Sequence, residues 1–494
     1  MIDKKHSISD LLLFEESPFA FWCQTVNDLV KKGLIDESHK VPITEGNLYS
    51  EYFLKKAQNH EIELKDFYLI QKEMEIDDYS SNSSFKKTIK SINNKSQAIY
   101  QGSLEGKEFT ARPDFLVLNE NNRYDIIDAK LSRNIKKKYE LQLYCYGYLL
   151  NELEGYFPER SLIYLVGGDF VEVQIQDFKD SFFELRENFY KFLSSFSITR
   201  PPHPTKNEFN NNLFADQITK TWIEKESIEL IGGITYKQVQ ELNKCGIETL
   251  TEFSSNEINS TSISSNTYFK LFKKACALLK SKEEIYVEIN NDNLDDLLSI
   301  SDLQDGDLYI DFEWYPYSGE LENFFYLFGY FQYIKNDSSF DYIWSDNEDE
   351  EENSFKNFVD FLLEHNSSYP ESKIYHYNHS EKTELLKLCK KYEYKEAQIN
   401  ELTEKAFIDL LKPIRSSFTF GLSSNSLKEI EKVLDIGRQE EVQSGGQSMT
   451  YFEKFYFNGE WDLKDEIVLY NKQDCENLNT LHKWLLEQQS RVKN

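Results

Sequence analysis

Apolar and polar positions alternate in a way that predicts a hairpin and two helices in the first part of the chain. Two short apolar runs, PDFLVL and YDIIDAKL, flank the turn sequence NENN. This pattern predicts a β-hairpin. The following stretch, KKKYELQLYCYGYLL, is rich in Tyr and Leu and predicts a helix, and ITEGNLYSEYFLKKAQ predicts another helix upstream. The first region therefore mixes helices with strands.

The last part of the chain shows a similar alternation of element types. LYIDFEWYP predicts a buried strand, IYHYNHSEKTELLKL a strand followed by a helix, and DEIVLYNKQDCENLNTLHKWL a long amphipathic helix. A turn-rich segment with Pro201, Pro202 and Pro204 predicts a linker after the first region. We therefore predict an α/β multidomain protein with regions at 1–205, 206–295 and 296–494.

The middle region contains mainly helical patterns. In IELIGGITYKQVQELNKCGIETLTEFSS, a turn with Gly232 and Gly233 leads into one helix, and a turn with Gly246 leads into a second. This rhythm resembles a helix-hairpin-helix unit, whose turn amides can face a nucleic-acid phosphate. A purely structural helical connector explains the pattern equally well.

Composition narrows the class of protein. The net charge of −29, from 56 basic and 85 acidic residues among 494, argues against a protein that coats nucleic acid through a basic surface. A nuclease remains compatible, because metal-binding carboxylates are acidic and substrate contact needs only a local basic strip. Residues 133–138 (RNIKKK) are either such a strip or the solvated start of a helix.

Cysteine usage and hydropathy indicate a compartment. The six cysteines form no CxxC pair, so no zinc-site spacing is present and a reduced cytoplasmic chain is expected. The first 22 residues are too acidic, and their apolar patch too short, for a signal peptide. No apolar run approaches the length of a membrane span, so no membrane partner is expected.

The predicted hairpin carries the first candidate site. Asp128 and Lys130 are two residues apart on one strand and therefore share a face, while Asp114 opens the other strand. Two carboxylates can hold a hard cation such as Mg²⁺, which activates water, and a lysine can stabilise developing negative charge. The alternative is a surface ion pair on a hairpin.

The order of Glu51, Pro-Asp, Asp-x-Lys and Gln-x-x-x-Tyr resembles the PD-(D/E)xK nuclease pattern in its RecB-like form, over most of residues 1–200. The resemblance implies that Glu51, Asp114 and Asp128 are metal ligands and that Lys130 is the catalytic lysine. Gln142 and Tyr146 would shape the site and contact substrate. The usual histidine of the first motif is missing before Glu51, which leaves a surface helix carboxylate as the alternative there. Cys23 lacks clustered partners, so no iron–sulfur cluster is expected.

The last region carries the second candidate site. Asp311 and Glu313 share one face of a strand, and Tyr470 and Asp474 share one face of a helix. This combination resembles the DEDDy group of 3′→5′ exonucleases, which have an RNase H-like fold. The resemblance places Glu381 at a position that is usually Asp. Four carboxylates would hold two cations, and the tyrosine would orient the attacking water. Asp409 is either a carboxylate near the site or, more simply, a helix cap.

The three regions in this order resemble one family of RecB-like nucleases over nearly the full chain. We therefore expect a nuclease that depends on Mg²⁺ or Mn²⁺, with two candidate active sites. DNA with a free or single-stranded end is the favoured substrate and RNA is possible. The alternatives are a nucleic-acid-binding scaffold with one or both sites inactive, and an RNA-processing 3′→5′ exonuclease. No GxxxxGK[ST] loop occurs, so no nucleotide cofactor is expected, and a helicase or other protein partner stays unidentified.

Overall fold

The structure is a computed structural model that describes most of the 494 residues. The described ranges are 5–44, 51–82, 84–209, 212–255, 261–281, 284–318, 322–335, 337–437 and 445–493, without the side chains of 51–56, 316–318, 322, 445 and 457. Contacts divide the chain into two compact units. The first comprises Met1–Thr44, Leu48–Pro204 and Glu208–Gln217, and the second contains Thr205–Asn207 and Ile218–Asn494. The middle region from Ile218 onward thus belongs to the same unit as the last region.

The first unit is a mixed α/β structure. Its helices are α1 (Ile8–Glu16), α2 (Pro18–Lys31), α3 (Glu51–Asp66), α4 (Phe85–Asn93), α5 (Lys137–Glu154) and α6 (Lys179–Ser194). Its strands are β1 (His6–Ser7), β2 (Ile76–Asp78), β3 (Ala98–Tyr100), β4 (Leu104–Glu105), β5 (Phe109–Ala111), β6 (Phe115–Leu118), β7 (Tyr124–Lys130), β8 (Ser161–Leu165) and β9 (Phe170–Glu172).

A six-stranded sheet in the order β2-β3-β6-β7-β8-β9 organises this unit. The predicted hairpin is confirmed: β6 and β7 are antiparallel, with Phe115 opposite Ile127 and Leu118 opposite Tyr124. After β7 the chain passes through α5 and returns as β8, parallel to β7. A helical crossover is the usual connection between parallel neighbours, so the tyrosine-rich helix that follows the hairpin covers the sheet.

Strand β7 is buried on both faces, which explains its nearly continuous apolar sequence. Ile126 packs in the core that contains α5 and α6, whereas Ile127 packs in a second core with Leu64 of α3. Because successive residues of a strand alternate between faces, Asp128 lies on the same face as Ile126. The strand therefore directs its carboxylate toward α5.

A buried carboxylate holds the end of the first unit against its beginning. Glu208 Oε2 accepts hydrogen bonds from the Ser17 hydroxyl at 2.6 Å and the Phe19 amide at 3.1 Å. Ser17 is the N-cap of α2, and Pro18 occupies its first turn. Glu208 is therefore bonded to the start of α2, where amides lack partners within the helix and a negative charge is stabilised.

The second unit carries a five-stranded sheet and most of the helices. Its helices are α7 (Ala215–Glu224, at the division between the units), α8 (Tyr236–Lys244), α9 (Leu250–Ser255), α10 (Ser265–Lys280), α11 (Asp295–Leu298), α12 (Glu348–Ser368), α13 (Ser380–Lys391), α14 (Glu396–Lys405), α15 (Leu411–Ser417), α16 (Leu427–Val433), α17 (Gly445–Asn458) and α18 (Leu463–Lys493). Its strands are β10 (Val287–Ile289), β11 (Asp307–Ser318), β12 (Glu322–Tyr333), β13 (Ser339–Trp344), β14 (Ile374–His376), β15 (Phe407–Asp409) and β16 (Phe418–Phe420).

The five-stranded sheet has the order β13-β12-β11-β14-β15. Its first three strands form an antiparallel meander, whereas β14 and β15 run parallel to β11. Ile310 and Phe312 of β11 pack into the core that contains α12, whereas Tyr309 packs into the core on the α18 side. By the same alternation, Asp311 and Glu313 face the α18 side of the sheet.

Helices α8 (Tyr236–Lys244), α9 (Leu250–Ser255) and α10 (Ser265–Lys280) lie in the middle region, which also contains strand β10 (Val287–Ile289). Helices α8 and α9 follow the two glycine-containing turns. Gly233 and Gly246 have φ angles of +80° and +77°, which a residue with a side chain adopts with strain. The Gly232 carbonyl accepts a hydrogen bond from Lys274 Nζ at 2.6 Å. The first turn is thereby fixed to α10.

Within the described part of the chain, no helix is both long and apolar enough to span a bilayer.

Replacing Glu208 with Ala is expected to lower the free energy of unfolding of the first unit by about 1–3 kcal/mol, because buried donors of Ser17 and Phe19 lose their acceptor. Urea and thermal unfolding measure the effect. Glu224→Ala, an exposed carboxylate on α7, is the control and should change stability by less than about 0.5 kcal/mol. Equal stability of the two variants would contradict the role of Glu208.

Candidate active sites

Three carboxylates converge in the second unit. Asp311 and Glu313 come from β11, and Asp474 comes from α18. One oxygen of each lies within 4.8 Å of those of the other two. Among the described residues, this is the one group of three or more His, Cys, Asp or Glu with such convergence. The structure therefore brings together three of the four carboxylates that the sequence placed in this site.

A β-bulge shapes the sheet beside Glu313. Glu313 pairs with Leu327, but the next residue, Trp314, pairs with Phe325, so Tyr326 has no opposite residue. Its hydroxyl donates to Glu313 Oε2 at 3.3 Å and lies 2.9 Å from the Ser448 hydroxyl. Bulges often re-aim a side chain beside a functional site. Here the bulge lets a residue that would otherwise face away bond to the carboxylate.

Asp311 is oriented by a neighbour on α18. Asn471 Nδ2 donates to Asp311 Oδ2 at 2.8 Å and to the Asp311 carbonyl at 3.1 Å. Gly329 lies opposite Asp311 on β12, and a Cβ at this glycine would stand 1.6 Å from Asn471 Oδ1. Glycine at this position thus leaves the space through which Asn471 reaches the strand.

The carboxylates of this site lie close to one another, and those of Glu313 and Asp474 are buried. Burial, and next the charge of the nearby Asp474, raise the pKa of Glu313 to about 8. Hydrogen bonds from Ser448 and Tyr326 and the charge of Lys428 oppose the shift only in part. The convergence of three oxygen ligands and the repulsion between Glu313 and Asp474 fit a divalent cation, because hard cations prefer carboxylate oxygens.

The other predicted residues of this site have different surroundings. Tyr470 is buried one helical turn before Asp474, with Lys428 Nζ 5.8 Å from the centre of its ring. Glu381 is buried at the start of α13 and accepts a hydrogen bond from the Ser380 hydroxyl at 2.9 Å. Its other oxygen lies 3.7 Å from His376 Nδ1 and has no hydrogen-bond partner among the described residues. The Glu381 carboxylate does not belong to the group of three converging ligands.

Asp409 has a local structural role. Its Oδ1 accepts hydrogen bonds from the amides of Leu411, at the start of α15, and Asn378, at 2.9 and 2.8 Å. Asp409 thus bonds to the first amide of α15, although the N-cap residue of this helix is Leu410.

The first unit brings Asp114, Asp128 and Lys130 together. Asp114 Oδ2 accepts a hydrogen bond from the Ala129 amide at 2.8 Å, which fixes it beside β7. Lys130 Nζ forms a close ion pair with the buried Asp128 Oδ2. Burial raises the pKa of Asp114 well above its usual range, and Asp128 adds to the shift. Burial lowers the pKa of Lys130, but Asp128 and Asp114 outweigh it and the net shift is upward.

Two further residues of this site escaped the sequence analysis. Gln101 Nε2 donates to Asp114 Oδ1 at 2.8 Å and to Glu61 Oε2 at 3.1 Å. Burial raises the pKa of Glu61, and Asp128 contributes next. Glu61 is next to His60, which with Leu64 forms the buried face of α3. That buried i, i+4 pair is the sequence signal that could have drawn attention to Glu61.

Glu51 is the first residue of α3, and its side chain lies outside the described residues. Ten residues of α-helix span about 15 Å, so the backbone of Glu51 is about that far along the axis from Glu61. The carboxylate of α3 that is described near Asp114 and Asp128 is that of Glu61.

Helix α5 contributes the predicted tyrosine and glutamine. Gln142 Nε2 donates a short hydrogen bond to the Tyr146 hydroxyl. Burial raises the pKa of Tyr146, with smaller contributions from Asp128 and Asp114. Tyr146 is therefore near the carboxylates, and Gln142 orients it.

Comparison with known families agrees with the topology of the second unit. Residues 308–486 match the model of RNase_H_2, a family of the RNase H superfamily. The matched segment begins within β11 and ends within α18, so it includes Asp311, Glu313, Glu381, Tyr470 and Asp474. The C-terminal domain is therefore RNase H-like. Comparison of the chain with curated proteins and with solved structures gave no match.

Gly329→Ala is expected to destabilise the second unit by about 1–3 kcal/mol, because the added Cβ would overlap Asn471 Oδ1 and force it off Asp311. Thermal unfolding measures the loss. Gly437→Ala is the control, since its Cβ would meet no atom within 4 Å. In Gly329→Ala combined with Asn471→Ala, the overlap is absent and part of the stability should return. A Gly329→Ala variant as stable as wild type would contradict this account.

Stability without metal is expected to fall as pH rises from about 5 to 8. The folded state keeps a proton on Glu313 up to a pKa of about 8, whereas the unfolded chain loses it near 4.5. In this window the folded state binds more protons, so a rise in pH favours unfolding. Melting temperatures in EDTA at pH 5, 6, 7 and 8 measure the effect. Glu313→Gln, which stays neutral, should show a smaller decline than wild type, and parallel curves would contradict the assignment.

Proposed function

We propose that this protein is a divalent-metal-dependent nuclease with a DEDDy-type 3′→5′ exonuclease site in its RNase H-like domain. The observation that carries the proposal is the convergence of Asp311, Glu313 and Asp474, with Tyr470 one turn away on the helix of Asp474. An RNase H-like domain suggests a nucleic-acid substrate and nuclease-type activity. The residue types and their arrangement support the finer assignment.

Each residue of this site has a proposed task. Asp311, Glu313 and Asp474 hold Mg²⁺ or Mn²⁺. Glu381, outside this group of three, takes the position of the fourth carboxylate of the DEDDy pattern. Bound divalent metal would neutralise the scissile phosphate and lower the pKa of the attacking water. Asn471 keeps the Asp311 carboxylate in one orientation, and Tyr326 does the same for Glu313. Tyr470 orients the water through its hydroxyl.

We also propose a second nuclease site, of the PD-(D/E)xK kind, in the first unit. Asp114 and Asp128 hold the metal, and Glu61 takes the place that the sequence analysis gave to Glu51. Lys130 supplies positive charge for the phosphate in the transition state. Tyr146 and Gln142 shape the wall of the site. The support is the buried group of carboxylates with a lysine at its centre.

A scaffold function is the second candidate, and the geometry of the first unit favours it there. Both Asp114 oxygens accept hydrogen bonds, and Lys130 occupies an oxygen of Asp128. A metal at this site would compete with Gln101 for Asp114 and with Lys130 for Asp128. DNA is our favoured substrate on the RecB-like resemblance, and an RNA-processing exonuclease is the alternative that a comparison of substrates distinguishes.

The test is cleavage of single- and double-stranded DNA and RNA, labelled at either end, with Mg²⁺, Mn²⁺ or EDTA. Asp311→Asn should abolish stepwise shortening of strands from the 3′ end, because it removes a metal ligand while preserving shape. Asp128→Asn should abolish any remaining cleavage, and the variant with both substitutions should match the EDTA reaction. In the first unit, Glu61→Gln should reduce cleavage as Asp128→Asn does, whereas Glu51→Gln should not.

Each outcome decides between the candidates. Full activity of the variant with both substitutions would overturn both sites. Binding of nucleic acid without cleavage of any substrate would establish the scaffold function. Faster cleavage of RNA than of matched DNA would favour RNA processing.

A further inference from the structure

A groove of positive charge lies in the second unit, outside the carboxylate site. Two adjoining cavities, of about 640 and 700 Å³, share Lys274 and Arg415 in their walls. We call the pair the basic groove. Lys270, Lys273 and Lys412 also line the first cavity. Such a concentration of cations is unexpected in a chain with a net charge of −29.

The carboxylates in the groove neutralise Lys412 but not Lys270, Lys273 or Arg415. Asp296 is paired with Lys412 at 2.9 Å, and Asp409 accepts the two backbone amides described above. Asp292 is the third carboxylate of the wall. Within the described residues, no carboxylate lies within 4 Å of the charged groups of Lys270, Lys273 or Arg415.

The cations also crowd one another. The pKa of Lys274 is lowered, first by burial and then by the charges of Arg415 and Lys270. Its Nζ is held by the neutral carbonyl of Gly232. Mutual repulsion of this kind costs free energy, and an anion bound in the groove would relieve it.

An aromatic side chain stands among the cations. Phe269 is 55% exposed on α10, and Lys273 Nζ lies 4.9 Å from the centre of its ring. Exposed aromatic rings beside basic residues are the feature on which proteins stack the bases of single strands. A base in a duplex is not free to stack in this way, so the combination favours a single strand.

The wall of the second cavity includes chain neighbours of two residues at the proposed active site. The second cavity is lined by Tyr377, Asn378 and Ser380, between β14 and α13, and Ser380 bonds to Glu381. Leu427, on another wall, precedes Lys428, which contacts the ring of Tyr470. A chain lying in the groove would therefore end close to two of the proposed active-site residues.

From these observations we propose that the basic groove binds the sugar-phosphate backbone of a single-stranded nucleic acid and leads its end into the RNase H-like site. Lys270, Lys273, Lys274 and Arg415 contact phosphates, and Phe269 stacks on a base. This inference rests on the proposed function, and it adds the form of the substrate and the path by which it enters.

The test measures binding apart from cleavage. Full-length protein with Asp128→Asn, Asp311→Asn and Asp474→Asn is titrated into fluorescein-labelled 20-mers of oligo-dT and oligo-U, and anisotropy gives Kd at several salt concentrations. Adding Lys270→Glu, Lys273→Glu and Arg415→Glu should weaken binding by at least about tenfold and reduce the slope of log K against log salt by about 2. Phe269→Ala should weaken binding by about fivefold or more.

The matched control reverses the same number of charges elsewhere. Lys335, Lys390 and Lys483 are exposed lysines of the same unit that do not line either cavity. Replacing all three with Glu should change Kd by less than about twofold. If the groove variant melts at a lower temperature than this control, Gln replaces Glu in the groove. Cross-linking of 4-thiothymidine or 4-thiouridine oligonucleotides to the starting protein, whose groove carries no substitution, should label residues 264–281.

The outcomes separate the groove from the nuclease. Equal binding by the groove variant and the control, or no binding of either oligonucleotide by the starting protein, would overturn the groove. Groove-dependent binding without cleavage by the wild-type protein would leave the groove in place and overturn the nuclease. Tighter binding of oligo-dT or of oligo-U identifies the polymer that the groove accepts.

Discussion

Burying carboxylates beside one another costs free energy, because each charge loses its hydration and repels its neighbours. Both units contain carboxylates buried in this way. Burial and a neighbouring carboxylate raise the pKa of Glu313 to about 8 in the second unit, and they raise the pKa of Asp114 in the first. The surrounding structure holds the groups in place through donors such as Asn471 and Gln101. A bound cation would remove most of this cost, so the same arrangement that weakens the metal-free protein prepares it to bind metal.

The second unit shows how several local features serve that one arrangement. Alternation along β11 directs Asp311 and Glu313 toward α18, and the bulge in β12 brings Tyr326 to Glu313. Gly329 leaves room for Asn471. Each feature has little value alone. Together they position a helix against a strand closely enough for oxygens of carboxylates from distant parts of the sequence to lie within 4.8 Å of one another.

Charge is distributed unevenly in this protein. A net charge of −29 repels a polyanion at long range, so a protein of this charge needs local positive charge if it is to bind nucleic acid. The basic groove, with Lys270, Lys273, Lys274 and Arg415, is a local concentration of positive charge within the second unit. Metal at the carboxylates would supply the rest. Binding that relies on contacts between phosphates and cations weakens as the salt concentration rises. At physiological salt it therefore needs a site where phosphates meet several cations at once.

The sequence by itself determined the elements that depend on local pattern: the β6–β7 hairpin, the helix after it, and the spacing that gives Asp311 and Glu313 one face of a strand. Side chains repeat with a period of 2 residues on a strand and 3.6 residues on a helix. Which of them share a face therefore follows from the local sequence, whatever other elements pack against it. Which distant residues meet was decided only by the tertiary structure. Glu61 and Gln101 joined the first site, and Glu381 stayed outside the converging three, because such contacts depend on how helices pack on sheets. The groove is likewise built from α10, α15 and loops far apart in the chain, and its charge emerges only when folding brings them together.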